Sequence, residues 1–110
     1  MKAITRIVFL DEEQEKFFGE GPCRLLRAVE ETGSLRAAAI GMGMAYSKAF
    51  KLIQHAEKSL GFPLMTRERG GKSGGGSHLT EECQDWLKRY EGYRDACRET
   101  NEKLFHEYFE

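Results

Sequence analysis

Ser47, Lys48, Lys51, Gln54 and His55 recur at short spacings that, on a helix, gather hydroxyl, ammonium, amide and imidazole groups on one side. Lysine ammonium groups donate to phosphate oxygens or to guanine O6 and N7, and Ser47 and Gln54 can meet either bases or backbone. Tyr46 opens the same segment. More donors follow in Arg67, Arg69, Lys72 and Ser73, the last two inside the run Gly70-Gly71-Lys72-Ser73-Gly74-Gly75-Gly76. Upstream, Ser34 and Arg36 stand where a helix N-terminus can receive a phosphate. Donors of these types bind a polyanion, and spacing alone does not separate base readout from phosphate positioning.

Enzymatic chemistry finds no comparable set. Gly71-Lys72-Ser73 resembles the end of a nucleotide-binding P-loop, but that motif needs a glycine where this chain has Thr66, and a helix where it has three more glycines. His55, His78 and His106 are far apart, and none has a partner at metal-ligand spacing. His78 lies five residues from Cys83, which is too little context for a nucleophile and base. The expectation is no catalytic residue, no metal and no cofactor.

Taken alone, the formal net charge of -1 opposes a polyanionic partner. Its distribution reverses that reading. Residues 34–79 hold seven Lys and Arg against two acids, whereas residues 1–33 hold five against seven and residues 80–110 five against nine. A local field is set by charges within about 8–10 Å, so the basic middle counts for more than the total.

The elements that must position these donors can be read from punctuation and period. Ala3–Leu10 and Lys16–Phe18, separated by an acidic cluster, predict a β-hairpin over residues 3–18 that ends at Gly19-Glu20-Gly21. Pro22 suits a first helical turn, and Leu25, Leu26, Val29 and Cys23 take the spacing of a buried face before Gly33 ends the helix. Ser34 caps a short alanine-rich helix to Met42, Gly43 turns the chain, and Met44 is placed to fill the space between helices. Tyr46–Leu60 then forms the second helix, with Tyr46, Ala49, Phe50, Ile53, Ala56 and Leu60 inward and the lysine stripe outward. Gly61 and Pro63 stop it, and Leu64–Arg67 with Ser77–Leu79 frame a two-stranded wing around the glycines.

Thr80 caps a long polar helix whose apolar residues, Cys83, Trp86, Leu87, Tyr90, Tyr93, Cys97 and Leu104, form an imperfect heptad seam interrupted by Thr100. Some 28 residues of helix measure about 40 Å, longer than so small a domain needs. The seam is therefore expected either to pack along its own domain or, as the length favours, to pair with a second copy. The whole is mainly α with small β elements: a winged helix-turn-helix over residues 1–80, with an N-terminal hairpin, and a dimerisation helix over residues 81–110.

Several blocks together resemble a known family. Glu31-Thr32-Gly33-Ser34-Leu35, the alanine run, Gly43-Met44, Tyr46, Lys48-Ala49-Phe50, Glu57-Lys58-Ser59-Leu60-Gly61-Phe62-Pro63-Leu64, and Gly70–Gly76 before Leu79-Thr80 are similar to the N-terminal domain of ModE-type, molybdate-responsive repressors. That domain is itself related to the winged helix-turn-helix of LysR-type regulators. The resemblance covers roughly residues 17–87 and implies a DNA-binding transcriptional regulator that dimerises through helices outside the wing. Two departures stand out. The family usually has a serine where this chain has Ala45, so the second helix lacks a side-chain cap worth about 1 kcal/mol. The molybdate-binding domains of full-length members are not expected here, so the resemblance supports DNA binding and not molybdate sensing by this chain.

The expected partners are double-stranded DNA and a second copy of the chain, with room for a separate effector-binding partner and none for a membrane. Three cysteines without C-x-x-C spacing suit a reduced, cytoplasmic chain. The competing expectation is a winged-helix protein-interaction module whose DNA binding has weakened, favoured by Ala45 and the net negative charge.

Overall fold

The computed structural model describes residues 1–67 and 76–110. The chain runs β1 (Phe9–Leu10), β2 (Lys16–Phe18), α1 (Glu20–Thr32), α2 (Leu35–Gly41), α3 (Tyr46–Leu60), β3 (Met65–Arg67), β4 (Ser77–Leu79) and α4 (Glu81–Phe109). This is a winged helix-turn-helix: three helices around one core, a β3–β4 hairpin after α3, and a long C-terminal helix.

Helix boundaries follow local chemistry. Gly33 and Gly61 take left-handed conformations, φ 74° and 83°, and return their N–H groups to Val29 and Glu57 carbonyls. Ser34 and Thr80 are extended N-caps whose side chains accept 3.0 Å hydrogen bonds from the Ala37 and Cys83 N–H groups. Pro22 is the third residue of α1, inside the first turn where its missing N–H costs nothing.

Around the core, α1 contributes Cys23, Leu25, Leu26 and Val29, α2 contributes Leu35, Ala38 and Ala39, and α3 contributes Ala49, Ile53 and Ala56. The alanines let α2 and α3 approach closely across the Gly43 turn, where Gly43 has φ 65°. Leu64, Phe18 and the α4 residues Cys83, Leu87 and Tyr90 complete the buried cluster. The wing strands pair antiparallel, Met65 with Leu79, Thr66 with His78 and Arg67 with Ser77. The Ser77 N–H reaches the Gly33 carbonyl at 2.8 Å, which ties β4 to the α1–α2 corner.

Three expectations change. The N-terminal hairpin pairs only Phe9–Leu10 with Lys16–Phe18, not residues 3–18 throughout. Its turn is held by Asp11, whose Oδ1 accepts from the Glu13 and Glu15 N–H groups, both at 2.9 Å. Three residues remain before Gly19 opens α1, so residues 3–8 have no strand to pair with. They lie instead along α4, where the Tyr90 hydroxyl donates to the Ile7 carbonyl at 3.1 Å and the Asn101 amide to Thr5 Oγ1. Phe50, expected in the core, is 39% exposed: at about 100° per residue it falls at the edge of the buried Ala49–Ile53–Ala56 stripe, next to exposed Gln54.

The third change concerns the α4 seam. Cys83, Leu87 and Tyr90 are buried in the protomer's own core, and Trp86 packs edge-on against Phe9 and Phe18, with ring centroids 5.6 and 5.4 Å away. These four are therefore intramolecular contacts rather than free dimer contacts. Beyond Tyr90 the helix projects, giving the molecule extents of 59 × 29 × 25 Å. Tyr93 (54%) and Leu104 (46%) are exposed there and Cys97 is half-buried.

Candidate nucleic-acid interface

Burial of Ala49, Ile53 and Ala56 fixes the rotation of α3, and rotation decides which side chains face solvent. Ser47, Lys48, Lys51, Gln54 and Lys58 all lie exposed. At about 100° per residue they occupy one arc, with Lys51 near its middle. Lys58, the third lysine of the polar stripe expected on this helix, joins them one turn beyond Gln54.

The ion pairs sharpen the contrast with the rest of the surface. Arg27 binds Glu30 and Glu91, Arg94 binds Glu20 and Asp95, Arg89 approaches Asp85, and Lys103 approaches Glu99. Among the described residues, Lys48, Lys51 and Lys58 make no ion pair. Most basic groups on α1 and α4, Arg24 and Lys88 excepted, thus have an acidic neighbour, while none of the three α3 lysines has one among the described residues. Glu57, the only acid of α3, is turned away: its Oε2 accepts from the Leu64 N–H at 2.7 Å and anchors the chain entering β3.

Other expected contacts are engaged at the edges of this face. Ser34 is committed as the α2 cap. The Arg36 guanidinium lies 4.6 Å from the centroid of the half-buried Tyr46 ring, a cation–π contact that joins α2 to the start of α3. His55 borders the face but points to the N-terminal hairpin, with Nε2 3.3 Å from Asp11 Oδ2. Its ring is therefore held by protein rather than presented alone. The Asp11 carboxyl is held below the usual carboxylate range, first by the hydrogen bond from the Glu15 N–H, then against burial by His55 and the Glu13 N–H. Arg67 lies in β3 opposite Ser77. The Arg67 side chain and Arg69, Lys72 and Ser73 lie outside the described residues.

At the start of α3, Ala45 has an extended N-cap conformation (φ -64°, ψ 142°) and gives no side-chain cap. The arrangement is a short helix, a tight turn and a second helix whose basic face makes no ion pair among the described residues, beside a two-stranded wing. Residues 23–84 match the bacterial regulatory helix-turn-helix proteins of the lysR family. Over 106 residues the chain is 30% identical to the transcriptional regulator ModE of Haemophilus influenzae, covering 96% of this chain and 40% of that protein. It is 38% identical over 66 residues to the molybdenum-pterin-binding protein MopB of Rhodobacter capsulatus, covering 60% and 24%. With the molybdenum transport protein ModE of Azotobacter vinelandii it shares 29% identity over 99 residues, 86% of this chain and 37% of the other. The chain thus spans two fifths or less of the length of these relatives. Among the described residues no helix is long and apolar enough to cross a membrane. Its fold, its exposed lysine face and these matches agree that the chain belongs to the lysR family of bacterial regulatory helix-turn-helix proteins and carries a DNA-binding domain of the transcription-regulator type.

Proposed function

We propose that the chain controls transcription in the cytoplasm as a homodimer, reading a two-fold-related DNA site without catalysing a reaction. Helix α3 enters the major groove through Ser47, Lys48 and Lys51, with Gln54 and Lys58 beside them. The wing, with Arg67, Arg69, Lys72 and Ser73, reaches the neighbouring backbone or minor groove. The observation that carries this reading is the α3 face itself: its lysines have no ion-pair partner among the described residues, while its only acid is withdrawn to Leu64. Pairing is supported by the projecting half of α4, where Tyr93, Leu104, Tyr108 and Phe109 are exposed. In such a dimer two copies of α3 would address half-sites about 34 Å apart. The names of the Rhodobacter capsulatus and Azotobacter vinelandii relatives mention molybdenum, but what this chain's own residues support is DNA reading and pairing.

Fluorescence anisotropy on DNA selected from a random pool, titrated with salt, tests the reading. Each neutralised phosphate adds about 0.9 to the slope of log affinity against log salt. Lys48→Ala with Lys51→Ala is expected to lower that slope by up to about 2, or, for a lysine on a guanine edge, to relax sequence preference. Absence of DNA affinity at low salt, or affinity and preference unchanged in the double variant, would refute it and leave the protein-interaction reading. Sedimentation tests pairing separately: Leu104→Asp with Tyr108→Asp is expected to yield monomers, and a wild-type monomer at micromolar concentration would exclude the dimer.

A further inference from the structure

Sequence spacing isolates the histidines, but the fold brings His55 of α3 to two carboxylates of the β1–β2 turn. One ligand-capable atom from each of Asp11, Glu15 and His55 lies within 4.8 Å of the others. The Asp11 Oδ2 to His55 Nε2 distance is 3.3 Å. Two donors each about 2.1 Å from one ion stand about 3.0–3.4 Å apart at octahedral to tetrahedral angles. The Asp11–His55 pair therefore already has the spacing of neighbouring ligands. Glu15, exposed and on a flexible side chain, needs only a rotamer adjustment to join them.

The surroundings suit an ion with water in its remaining positions. The three residues line an open groove of about 650 Å³ with Glu12, Glu13 and Lys58. One imidazole and two carboxylates form a mixed nitrogen and oxygen set, which selects borderline transition ions of the zinc class over magnesium or calcium. Such an ion would also neutralise the acidic lip formed by Asp11, Glu12, Glu13 and Glu15 beside the lysine face of α3.

We propose that Asp11, Glu15 and His55 form a divalent transition-metal site that joins the N-terminal hairpin to α3. The inference does not rest on DNA binding, and its test uses no DNA. Zn²⁺ is titrated calorimetrically into the full chain carrying Cys97→Ser, which removes the half-buried thiol as a competing ligand. One saturable ion per chain is expected, with a thermal midpoint that rises as Zn²⁺ is added. His55→Ala and, separately, Glu15→Gln should each weaken Zn²⁺ binding by more than about tenfold, while circular dichroism shows the fold intact. Glu15→Gln leaves the Asp11-held turn in place, so it remains informative should His55→Ala disturb packing. No saturable binding up to millimolar Zn²⁺, or binding equally tight in a folded Glu15→Gln or His55→Ala variant, would overturn the proposal.

Discussion

Replacing Ala45 with serine should stabilise the protein, and the structure gives the amount. Three helices begin at extended caps: Ser34 and Thr80 each accept a 3.0 Å hydrogen bond from the N–H three residues on, while Ala45 accepts none. Ala45 is solvent-exposed, and its φ of -64° and ψ of 142° are close to the -73° and 163° of Thr80. A serine hydroxyl can therefore take up the Lys48 N–H, which has no partner within the helix, without backbone movement. An added cap of this kind is worth about 1 kcal/mol, within a range of about 0.5–2. For a domain of this size that is about 4 °C in thermal midpoint.

The assay is urea unfolding at one fixed protein concentration, followed by helix signal and by Trp86 fluorescence. With a slope of about 1–3 kcal/mol per molar, the midpoint should rise by about 0.3–1 M. Ser34→Ala is the control and should fall by a similar amount. Thr80→Ala should fall further, because the Thr80 hydroxyl also donates to the Pro63 carbonyl at 2.7 Å. If Ala45→Ser leaves the midpoint unmoved while Ser34→Ala lowers it, the start of α3 has no unmet donor and the reasoning fails.

Two further outcomes are expected. The Glu91 carboxyl is held below the usual glutamate range, chiefly by its hydrogen bonds from Arg27 and against the opposing effect of burial. Because its folded value lies below its unfolded value of about 4.3, the stabilisation is fully present above that pH and is lost as pH falls through the folded value. Glu91→Gln should flatten the urea midpoint profile on the acid side, below about pH 4.3, and an unchanged profile would remove the pair from the account. Burial pushes the Cys23 thiol up to about 11 and the Cys83 thiol up to about 12. In native protein at about pH 8 neither should react with iodoacetamide, and both should react once guanidinium unfolds the chain; rapid native modification of either would contradict the core described above.

Features set by one residue's own geometry were legible in the sequence. Gly33, Ser34, Gly61 and Thr80 marked helix ends because each works through a bond to a residue three or four positions away. The lysine stripe of α3 was legible because helical period fixes it once the alanine face is buried. What failed depends on distant partners. A β-rich run from Ala3 to Leu10 predicts a strand, but pairing also needs an equal run opposite, and Gly19 cuts that short. The heptad seam of α4 records which residues are apolar without recording against what, so Cys83, Leu87 and Tyr90 went to the domain's own core. Phe50 lies at the margin of the inward stripe, where period alone does not decide between core and surface, and it is partly exposed. His55 meets Asp11 only through tertiary packing, a link invisible to spacing along the chain.

The division of α4 gives its ion pairs a directional meaning. Glu20 at the start of α1 reaches Arg94 at 3.2 Å and Arg98 at 3.9 Å, and Arg27 two turns further along α1 reaches Glu91 at 3.1 Å. Asn101 is tied to Thr5 of the N-terminal segment. These partly buried surface contacts supply a small part of the stability that the buried cluster provides. They fall on the turns where α4 leaves the core, between Tyr90 and Leu104, and so constrain the direction in which its last half projects. In the proposed dimer that direction sets the distance and angle between the two copies of α3. Loosening these contacts should therefore change which half-site spacing is accepted before it changes how well one half-site is held.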